Sequence, residues 1–295
     1  MWRCFDHIAV PFKRVSFALV VACGVPAVGA AGELLDTVNR LEQEVGGRIG
    51  VVLQHTGSDW AIETRADERF PMASTFKALL CGAVLARVDR GEERLGEVVA
   101  YSKAELVSYS PVTKKHVAEG MRVGELCEAT VTMSDNTAAN LLLKRVDGPK
   151  GLTRFLRGLG DRVTRLDRRE PEMNEAKPGD ARDTTSPRAV VQTLDRLLFE
   201  EVLQPSSRAQ LQQWMVDDKV ADALIRKHLP SDWRIADKSG AGHNGSRGII
   251  AAIWPETGEP YLAAVYMTGS DADFKKRNAV IAEIGKAIIE EIQKR

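Results

Sequence analysis

The stretch ERFPMASTFKALLCGAVLARV, residues 68–88, predicts a helix that is buried in the protein. Its second half repeats apolar side chains at helical spacing, namely Phe76, Leu79, Leu80, Ala83, Val84 and Val88. Yet the first turn carries the hydroxyl of Ser74, and the charged amine of Lys77 follows one turn later. A buried amine needs hydrogen-bond acceptors or must lose its proton, so we expect Lys77 to influence the hydroxyl beside it.

Strands are predicted near both ends of the chain, on either side of this helical region. The segments that predict them cover residues 48–56, 60–67, 233–242, 248–256 and 261–270. Amphipathic helices are predicted outside the strands, over residues 31–47 and 274–295. From residue 74 to about residue 227 the chain is predicted to form helices and loops.

Pairing the two ends of the chain in one sheet gives the simplest architecture. We predict an α+β fold in which an antiparallel five-stranded sheet is flanked by helices and packs against an all-helical lobe. The sheet lobe would comprise about residues 31–70 and 216–295, and the helical lobe about residues 71–215, within one unit over residues 31–295. A cleft between two lobes is a natural place for a ligand.

The balance of charges excludes some classes of function. The 295 residues include 41 Lys and Arg against 41 Asp and Glu. Such a chain gives no reason to expect a nucleic-acid surface or a polybasic membrane patch. The histidines are scattered without the spacing of metal ligands, and no glycine-rich phosphate loop follows a strand. We therefore expect a monomer that binds a small molecule and uses neither a metal nor a cofactor.

The N-terminus has the pattern of a secretory signal peptide. Basic residues precede the apolar segment VSFALVVACGVPAVGA, residues 15–30, which ends in small residues. This segment is short for a membrane span and contains Pro26. We predict that residues 1–30 form a signal peptide and that the mature protein is periplasmic. The alternative is a lipoprotein signal, VVAC at residues 20–23, which would leave a lipid anchor on Cys23.

Two cysteines remain in the chain after the predicted signal peptide, Cys81 and Cys127. An even number of cysteines in an exported protein suggests a disulfide, whereas two buried free thiols are the alternative. Because the sequence does not give the distance between them, both interpretations stay open at this point.

Three short motifs combine the residue types that nucleophilic catalysis needs. Ser74 and Lys77 form S-x-x-K, residues 134–136 form S-D-N before an apolar helix, and residues 238–240 form K-S-G at the end of a strand. Each motif is weak by itself, since Ser74 alone could cap a helix and Lys77 alone could extend to solvent. In this order, however, the three are the signatures of penicillin-recognising serine enzymes, which the chain resembles.

A fourth segment resembles the Ω-loop of the class A β-lactamases. Residues 165–187, RLDRREPEMNEAKPGDARDTTSP, contain the pattern E-P-x-x-N with Glu170 and Asn174. A glutamate in so charged a segment is by default a solvated loop residue, but the position of this pattern after S-D-N favours the resemblance. The resemblance implies an ion pair between Arg168 and Asp183 that closes the loop, and a cis peptide bond after Glu170.

The resemblance covers essentially the whole mature chain and is nearest to the TEM and SHV type of class A serine β-lactamase. It implies hydrolysis of penicillins and early cephalosporins through an acyl-enzyme on the serine, which confers antibiotic resistance. The implied catalytic residues are Ser74, Lys77, Ser134, Glu170 and Asn174. The implied substrate-binding residues are Tyr109, Asn136, Lys238, Ser239, Gly240, Ala241 and Arg247. The two remaining cysteines, Cys81 and Cys127, coincide with the disulfide of that branch.

The chain departs from that type at several positions near the cleft. Arg169 stands where tryptophan is usual, Ala73 where methionine is common, and Ser108 and His243 where acidic residues are frequent. These departures concern the range of substrates. Two other functions share the serine and the lysine: a D-Ala-D-Ala peptidase and a non-hydrolytic β-lactam sensor domain. The Ω-loop glutamate argues against the first, and the lack of a predicted signalling or membrane segment after residue 30 argues against the second.

Overall fold

A computed structural model describes residues 1–2 and 30–295 of the chain. The predicted signal peptide and the alternative lipidation site at Cys23 therefore lie outside the described residues, apart from the ends of that segment. The strands are β1 (Arg48–His55), β2 (Ala61–Thr64), β3 (Phe70–Pro71), β4 (Val98–Val99), β5 (Met121–Arg122), β6 (Thr184–Thr185), β7 (Arg234–Ala241), β8 (Arg247–Trp254) and β9 (Tyr261–Thr268). The α-helices are α1 (Ala30–Val45), α2 (Phe76–Asp89), α3 (Val123–Thr132), α4 (Asn136–Arg145), α5 (Gly148–Gly158), α6 (Pro187–Leu198), α7 (Pro205–Val216) and α8 (Phe274–Gln293).

The main sheet is antiparallel and contains five strands in the order β2-β1-β9-β8-β7. Its first long strand pairs with its last, so that Val51 lies opposite Val265. The sheet therefore joins the two ends of the chain, and the predicted α+β fold with a five-stranded antiparallel sheet is confirmed. The β8 and β7 strands follow beside β9, which makes β7 an edge strand, and α7 packs against it.

The prediction of only helices and loops between residues 74 and 227 is wrong in detail. Two small two-stranded sheets, β3–β6 and β4–β5, brace this region. Each strand in them has only two residues, and so short a strand cannot be recognised from an alternation of polar and apolar side chains. The larger features of the region, six helices from α2 to α7, agree with the prediction.

Apolar side chains form two cores, one on each face of the main sheet. On one face α1 and α8 pack over strand residues that include Ile49, Val51 and Leu53. On the other face the helical region packs over the alternate residues of the same sheet, such as Val52 and Tyr266. Successive strand side chains point to opposite faces, so one strand serves both cores. The apolar positions predicted to face inward on the last helix are all buried: Val280, Ile281, Ile284, Ile288 and Ile292.

Helix α2 lies in the centre of the helical region. All its residues from Phe76 to Ala86 are buried. The segment is rich in Leu and Ala, which favour helix, and the chain leaves the helix at Gly91 in a left-handed conformation. A helix that is apolar on every face belongs in a core, and it carries Lys77 into that core.

The two cysteines are adjacent in the structure, but they are not bonded to each other. Both Cys81 and Cys127 are buried free thiols, and Cys81 Sγ lies 3.7 Å from the carbonyl oxygen of Cys127. The predicted disulfide is therefore not formed in this structure, and the pairing stays a prediction for the exported protein.

Among the helices of residues 30–295, none has the length and apolar character that a membrane span requires.

Candidate active site

The turn that presents Ser74 is a short 3₁₀ helix, residues Ala73–Thr75, which leads directly into α2. Ala73 has φ +42°, a left-handed backbone conformation, and Ser74 follows it in the turn before α2. Strand β7 passes close behind it: a Cβ on Gly240 would lie 2.7 Å from the Ser74 nitrogen. Only a glycine permits this approach, so the glycine of the K-S-G motif lets β7 pack directly against the turn that carries Ser74.

Lys77 lies one turn further on, and its amine contacts Ser74, the S-D-N motif and the Ω-loop glutamate. Its side chain is fully buried, and its Nζ lies 2.9 Å from Ser74 Oγ and 3.1 Å from Glu170 Oε1. Nζ also donates to Asn136 Oδ1 at 2.6 Å and to the carbonyl oxygen of Ser134 at 2.8 Å. Burial lowers the pKa of the Lys77 amine below its ordinary value, and the Glu170 carboxylate opposes that shift. The buried amine is therefore a weaker base than a solvated lysine, and it lies beside a hydroxyl.

The S-D-N motif forms the bend between α3 and α4. Ser134 has φ +58°, and its Oγ lies 3.3 Å from Lys77 Nζ. Asp135 is fully buried, where it caps α4 by accepting from the Ala138 nitrogen and also accepts from the Thr113 nitrogen and hydroxyl. Capping and these bonds fix the bend. The middle residue of the motif is thus structural, and it holds its two neighbours toward Lys77.

The Ω-loop places a carboxylate beside both Ser74 and Lys77. Glu170 is buried, its Oε1 lies 3.5 Å from Ser74 Oγ, and Asn174 donates its side-chain amide to Glu170 Oε2. The peptide bond after Glu170 is cis, and the predicted ion pair between Arg168 and Asp183 is present at 2.6 Å. The side-chain oxygen of Asn174 is buried without a protein partner, which leaves it free to orient a polar ligand such as water.

Asn140 was not predicted from the sequence, although it holds the catalytic loop in place. Its Oδ1 accepts from the Glu170 nitrogen at 3.0 Å, and its Nδ2 donates to the Glu170 carbonyl oxygen at 2.8 Å. Both backbone polar groups of Glu170 are therefore held by one side chain. The available signal was its position four residues after Asn136, on the same face of α4.

The edge strand β7 supplies Lys238 and Ser239. Lys238 is fully buried, and its Nζ lies 3.4 Å from Asp218 Oδ2. Burial lowers the pKa of Lys238, and Asp218 opposes that shift. The neighbouring Asp237 pairs with Arg226 at 2.8 Å, yet burial raises the pKa of Asp237 to about 7. Asp218 and Arg226 were not singled out from the sequence, because no motif links residues so far from the K-S-G triad.

Arg247 begins the next strand, β8, and lies opposite Ala241 of β7. Its Nη1 donates to the Gly240 carbonyl oxygen at 2.8 Å, and its Nε donates to Asn278 Oδ1 at 2.8 Å. Burial first, and then the charge of Arg277, lower the pKa of Arg247 to about 10. The guanidinium remains a cation near neutral pH and is fixed in position at one end of the cleft.

These groups surround a cavity of about 450 Å³ between the helical region and the edge of the sheet. The side chains and backbone that line it belong to Ser74, Tyr109, Ser134, Asn136, Asn174, Val220, Ser239, Gly240, Ala241, Arg247 and Phe274. The predicted residues Lys77, Glu170 and Lys238 lie just behind this surface, where they contact the lining groups or their neighbours. The structure therefore brings the twelve predicted catalytic and binding residues to one cleft, whereas Cys81 and Cys127 lie away from it.

The arrangement is that of a serine nucleophile beside an amine and a carboxylate that are themselves in contact. The hydroxyl of Ser74, the Lys77 amine of lowered pKa and the buried Glu170 carboxylate form a triangle in which no two of these groups are more than 3.5 Å apart. The same cavity is lined by the guanidinium of Arg247, the hydroxyl of Ser239 and the backbone of β7. Such a site is suited to attack a carbonyl carbon, to hold an anionic group of the substrate, and then to direct water at the resulting ester.

Comparison with known proteins agrees with this geometry. Residues 33–292 match the model of the "Beta-lactamase enzyme family". A reconstructed class A β-lactamase of the last common ancestor of Gram-negative bacteria is 54% identical, with a TM-score of 0.86 over 87% of this chain and 99% of that one. The class A protein PenP from Rhodopseudomonas palustris is 49% identical, with a TM-score of 0.86 over 88% of this chain and 99% of that one.

The cleft with Ser74, Lys77 and Glu170 in contact, together with this fold, defines a serine hydrolase that acts on cyclic amides. The chain belongs to the class A β-lactamase family, and its activity is the hydrolysis of β-lactams.

Proposed function

We propose that the protein hydrolyses penicillins and early cephalosporins, with the substrate range of the TEM and SHV type. The observation that carries the proposal is the contact of one serine with both Lys77 and a buried Glu170. Carbapenems and bulky oxyimino-cephalosporins are expected to be poor substrates. The residue directly before Ser74 is Ala73 and no cysteine follows Gly240, so the additional disulfide of one carbapenemase branch is absent.

Acylation begins with attack of Ser74 Oγ on the lactam carbonyl carbon. The hydroxyl proton passes to Lys77, which is 2.9 Å away, or to Glu170 through a bridging water. The backbone N–H groups of Ser74 and Ala241, both on the cavity wall, form the oxyanion hole for the developing negative charge. Ser134 then gives a proton to the lactam nitrogen as the C–N bond breaks, and Lys77 supplies the proton of Ser134 in turn.

Substrate binding uses the two ends of the cavity differently. At the cationic end, Lys238, Ser239 and Arg247 bind the substrate carboxylate, a task that suits cations and a hydroxyl. At the other end, Asn136 bonds the acylamide side chain, and Tyr109, which is 58% exposed, forms the wall of the entrance. Gly240 allows the substrate to approach the backbone of the edge strand.

Deacylation is the step that separates a hydrolase from a peptidase that stays acylated. Glu170 and Asn174 hold a water against the ester carbonyl; Glu170 removes its proton, the ester C–O bond breaks, and Ser74 recovers its proton. The buried, unpartnered side-chain oxygen of Asn174 is a suitable acceptor for that water. The carboxylate is already oriented before substrate arrives, which favours the water attack.

The cellular setting of this activity is also a proposal. The N-terminal pattern supports export to the periplasm with cleavage near Ala30, or else a lipid anchor on Cys23. We infer a monomer that confers resistance on its host by destroying β-lactams before they reach their targets. Expression with and without residues 1–30, followed by fractionation and mass measurement of the mature protein, distinguishes free protein from lipoprotein.

Intact-mass measurement during turnover tests the proposed function directly. Benzylpenicillin should give an adduct on Ser74 that vanishes within seconds, and the parent enzyme should turn over imipenem far less efficiently. An adduct that persists for hours would instead identify a D-Ala-D-Ala peptidase or a sensor domain. Comparable kcat/KM values for imipenem and benzylpenicillin would contradict the proposed substrate range.

A further inference from the structure

One row of paired residues crosses the main sheet beneath the turn that carries Ser74. Tyr266 of β9 pairs with Gly50 of β1 on one side and with Gly248 of β8 on the other. Gly248 pairs in turn with Gly240 of β7, the glycine against which the serine turn packs. Paired residues of neighbouring strands point to the same face of a sheet. Tyr266 is therefore the only member of this row that places a side chain on the face where the serine turn lies.

The glycines on both sides of Tyr266 leave the space that two aromatic rings occupy. A Cβ on Gly248 would lie 2.5 Å from Cδ1 of Tyr266, and a Cβ on Gly50 would lie 2.6 Å from Cε2 of Phe70. The two rings stack, with centroids 6.2 Å apart and planes at 26°. Because a close-packed interior resists movement of rigid rings, this arrangement fixes the direction in which Tyr266 points.

The hydroxyl of Tyr266 ends at the serine turn. It lies 2.8 Å from Oγ1 of Thr75, the residue directly after Ser74, and both side chains are buried. Oγ1 of Thr75 also donates to the carbonyl oxygen of Met72 at 2.8 Å. A threonine hydroxyl has one proton and a carbonyl can only accept, so Tyr266 is the donor to Thr75. Within residues 30–295, Thr75 is also the one hydrogen-bond partner of the Tyr266 hydroxyl.

These bonds continue from Met72 to the Ω-loop. The Met72 carbonyl oxygen accepts from the Thr75 hydroxyl and, at 3.2 Å, from the Thr75 nitrogen. The Met72 nitrogen donates to the carbonyl oxygen of Asp183 at 3.0 Å. Asp183 is the residue whose carboxylate pairs with Arg168 in the Ω-loop. One path of hydrogen bonds therefore leads from the sheet, through the residues on both sides of Ser74, to the Ω-loop.

The serine turn depends on such support because its backbone is strained. Ala73 is not a glycine, yet it has φ +42°, and a conformation of this kind persists only where the surroundings impose it. Met72 and Thr75 are the residues that bracket Ala73 and Ser74. Loss of the bonds that hold them would let Ser74 Oγ and the Ser74 nitrogen shift together.

We propose that Tyr266 is a positioning residue for the nucleophile: its hydroxyl, acting through Thr75, holds the turn of Ser74 in the geometry that acylation requires. The proposal rests on the proposed function, because it takes Ser74 as the nucleophile and its nitrogen as an oxyanion donor. Burial raises the pKa of the Tyr266 hydroxyl above its ordinary value, so the group keeps its proton and stays a donor at neutral pH.

The test measures the rate of adduct formation with benzylpenicillin by rapid-quench intact mass, with Glu170→Gln present in every variant so that hydrolysis does not obscure acylation. Tyr266→Phe keeps the ring and removes only the hydroxyl. The rate constant should fall by about 3–10-fold, the value of one hydrogen bond between neutral groups. The final fraction of acylated protein should be unchanged, since misfolded molecules lower that fraction and not the rate constant of the remainder.

Tyr261→Phe is the matched control. Tyr261 belongs to the same strand and is buried, but it lies in the core on the opposite face of the sheet. Its rate constant should equal that of the Glu170→Gln parent. Variants of Thr75 test the route: Thr75→Val should slow acylation at least as much as Tyr266→Phe, and Thr75→Ser, which keeps the hydroxyl, should recover most of that loss. Adding Tyr266→Phe to Thr75→Val should cause no further loss, because both changes remove the same bond.

A parental rate constant in Tyr266→Phe would overturn the proposal, as would an equal loss in Tyr261→Phe. Independent losses that multiply in the double variant would also overturn it, because Tyr266 would then not act through Thr75. Failure of the proposed function has a different signature, since Glu170→Gln without any further change would then form no adduct on Ser74.

Discussion

Two buried lysines, Lys77 and Lys238, border the same cleft in different electrostatic settings. Both side chains are fully buried, both have their pKa lowered by burial, and each has one carboxylate nearby, at 3.1 Å and 3.4 Å. Lys77, however, also contacts the hydroxyls of Ser74 and Ser134. Lys238 is next to the buried Asp237–Arg226 pair instead. The residue type and burial are equal, so in the proposed mechanism the neighbours decide which lysine moves protons and which one binds the substrate carboxylate.

The strongest test of this comparison replaces each lysine by methionine, which keeps length and removes the amine. Lys77→Met should lower kcat by about 10²–10⁴-fold, since it removes a proton carrier. Lys238→Met should lower kcat/KM by about 10–100-fold, mainly through KM, since it removes a charged hydrogen-bond donor to the carboxylate. Steady-state kinetics on benzylpenicillin measure both. Equal effects on kcat in the two variants would remove the distinction.

Asn140→Ala tests the position of Glu170, the carboxylate that contacts Lys77. Loss of the two bonds to the Glu170 backbone should let the carboxylate shift, and misplacement on this scale reduces rates by about 10–100-fold. The acyl-enzyme should accumulate, because deacylation depends most on the position of Glu170. Rapid-quench mass spectrometry separates this result from slow acylation, and a variant that shows slow acylation without any adduct would contradict it.

Asp237→Asn probes the surroundings of Lys238 through pH. The pKa of Asp237 is raised to about 7 in the folded protein, above its ordinary 3.8, so the folded state binds a proton that the unfolded state releases. This group therefore lowers the free energy of unfolding as pH rises from about 4 to about 7. The fall between pH 5 and pH 8, measured by chemical denaturation, should be smaller in Asp237→Asn. An unchanged fall would contradict the prediction.

Cys81→Ser should have the smallest effect on catalysis, because both cysteines are away from the cavity. If the exported protein forms the predicted disulfide, a loop of this length contributes about 4 kcal/mol to stability in the chain-entropy model. The melting temperature should then fall while turnover per folded molecule is kept. Titration of two reactive thiols in the exported, unfolded protein would show that no bridge is formed.

Sequence motifs predicted the proposed catalytic and binding residues better than they predicted the residues that hold those side chains in position. Ser74 and Lys77 were predicted from their spacing of three residues at the start of one helix, and Glu170 from the resemblance of residues 165–187 to the Ω-loop of the class A β-lactamases. Asn140 and Asp218 were missed because their partners are distant in sequence, at residues 170 and 238. The main sheet was predictable from alternation and turns, whereas the two-residue strands between Phe70 and Thr185 were not, because tertiary contacts alone define them.

Glu170→Gln tests the central claim most directly: a buried carboxylate beside the serine makes the site a hydrolase. Glutamine keeps the size and loses the proton acceptor, so Ser74 should still be acylated with Lys77 as base while hydrolysis of the ester slows by about 10²–10⁴-fold. Intact mass should rise by one penicillin and stay there, and Ser74→Ala should show no adduct. Parental turnover of benzylpenicillin by Glu170→Gln, with no detectable adduct, would contradict the account.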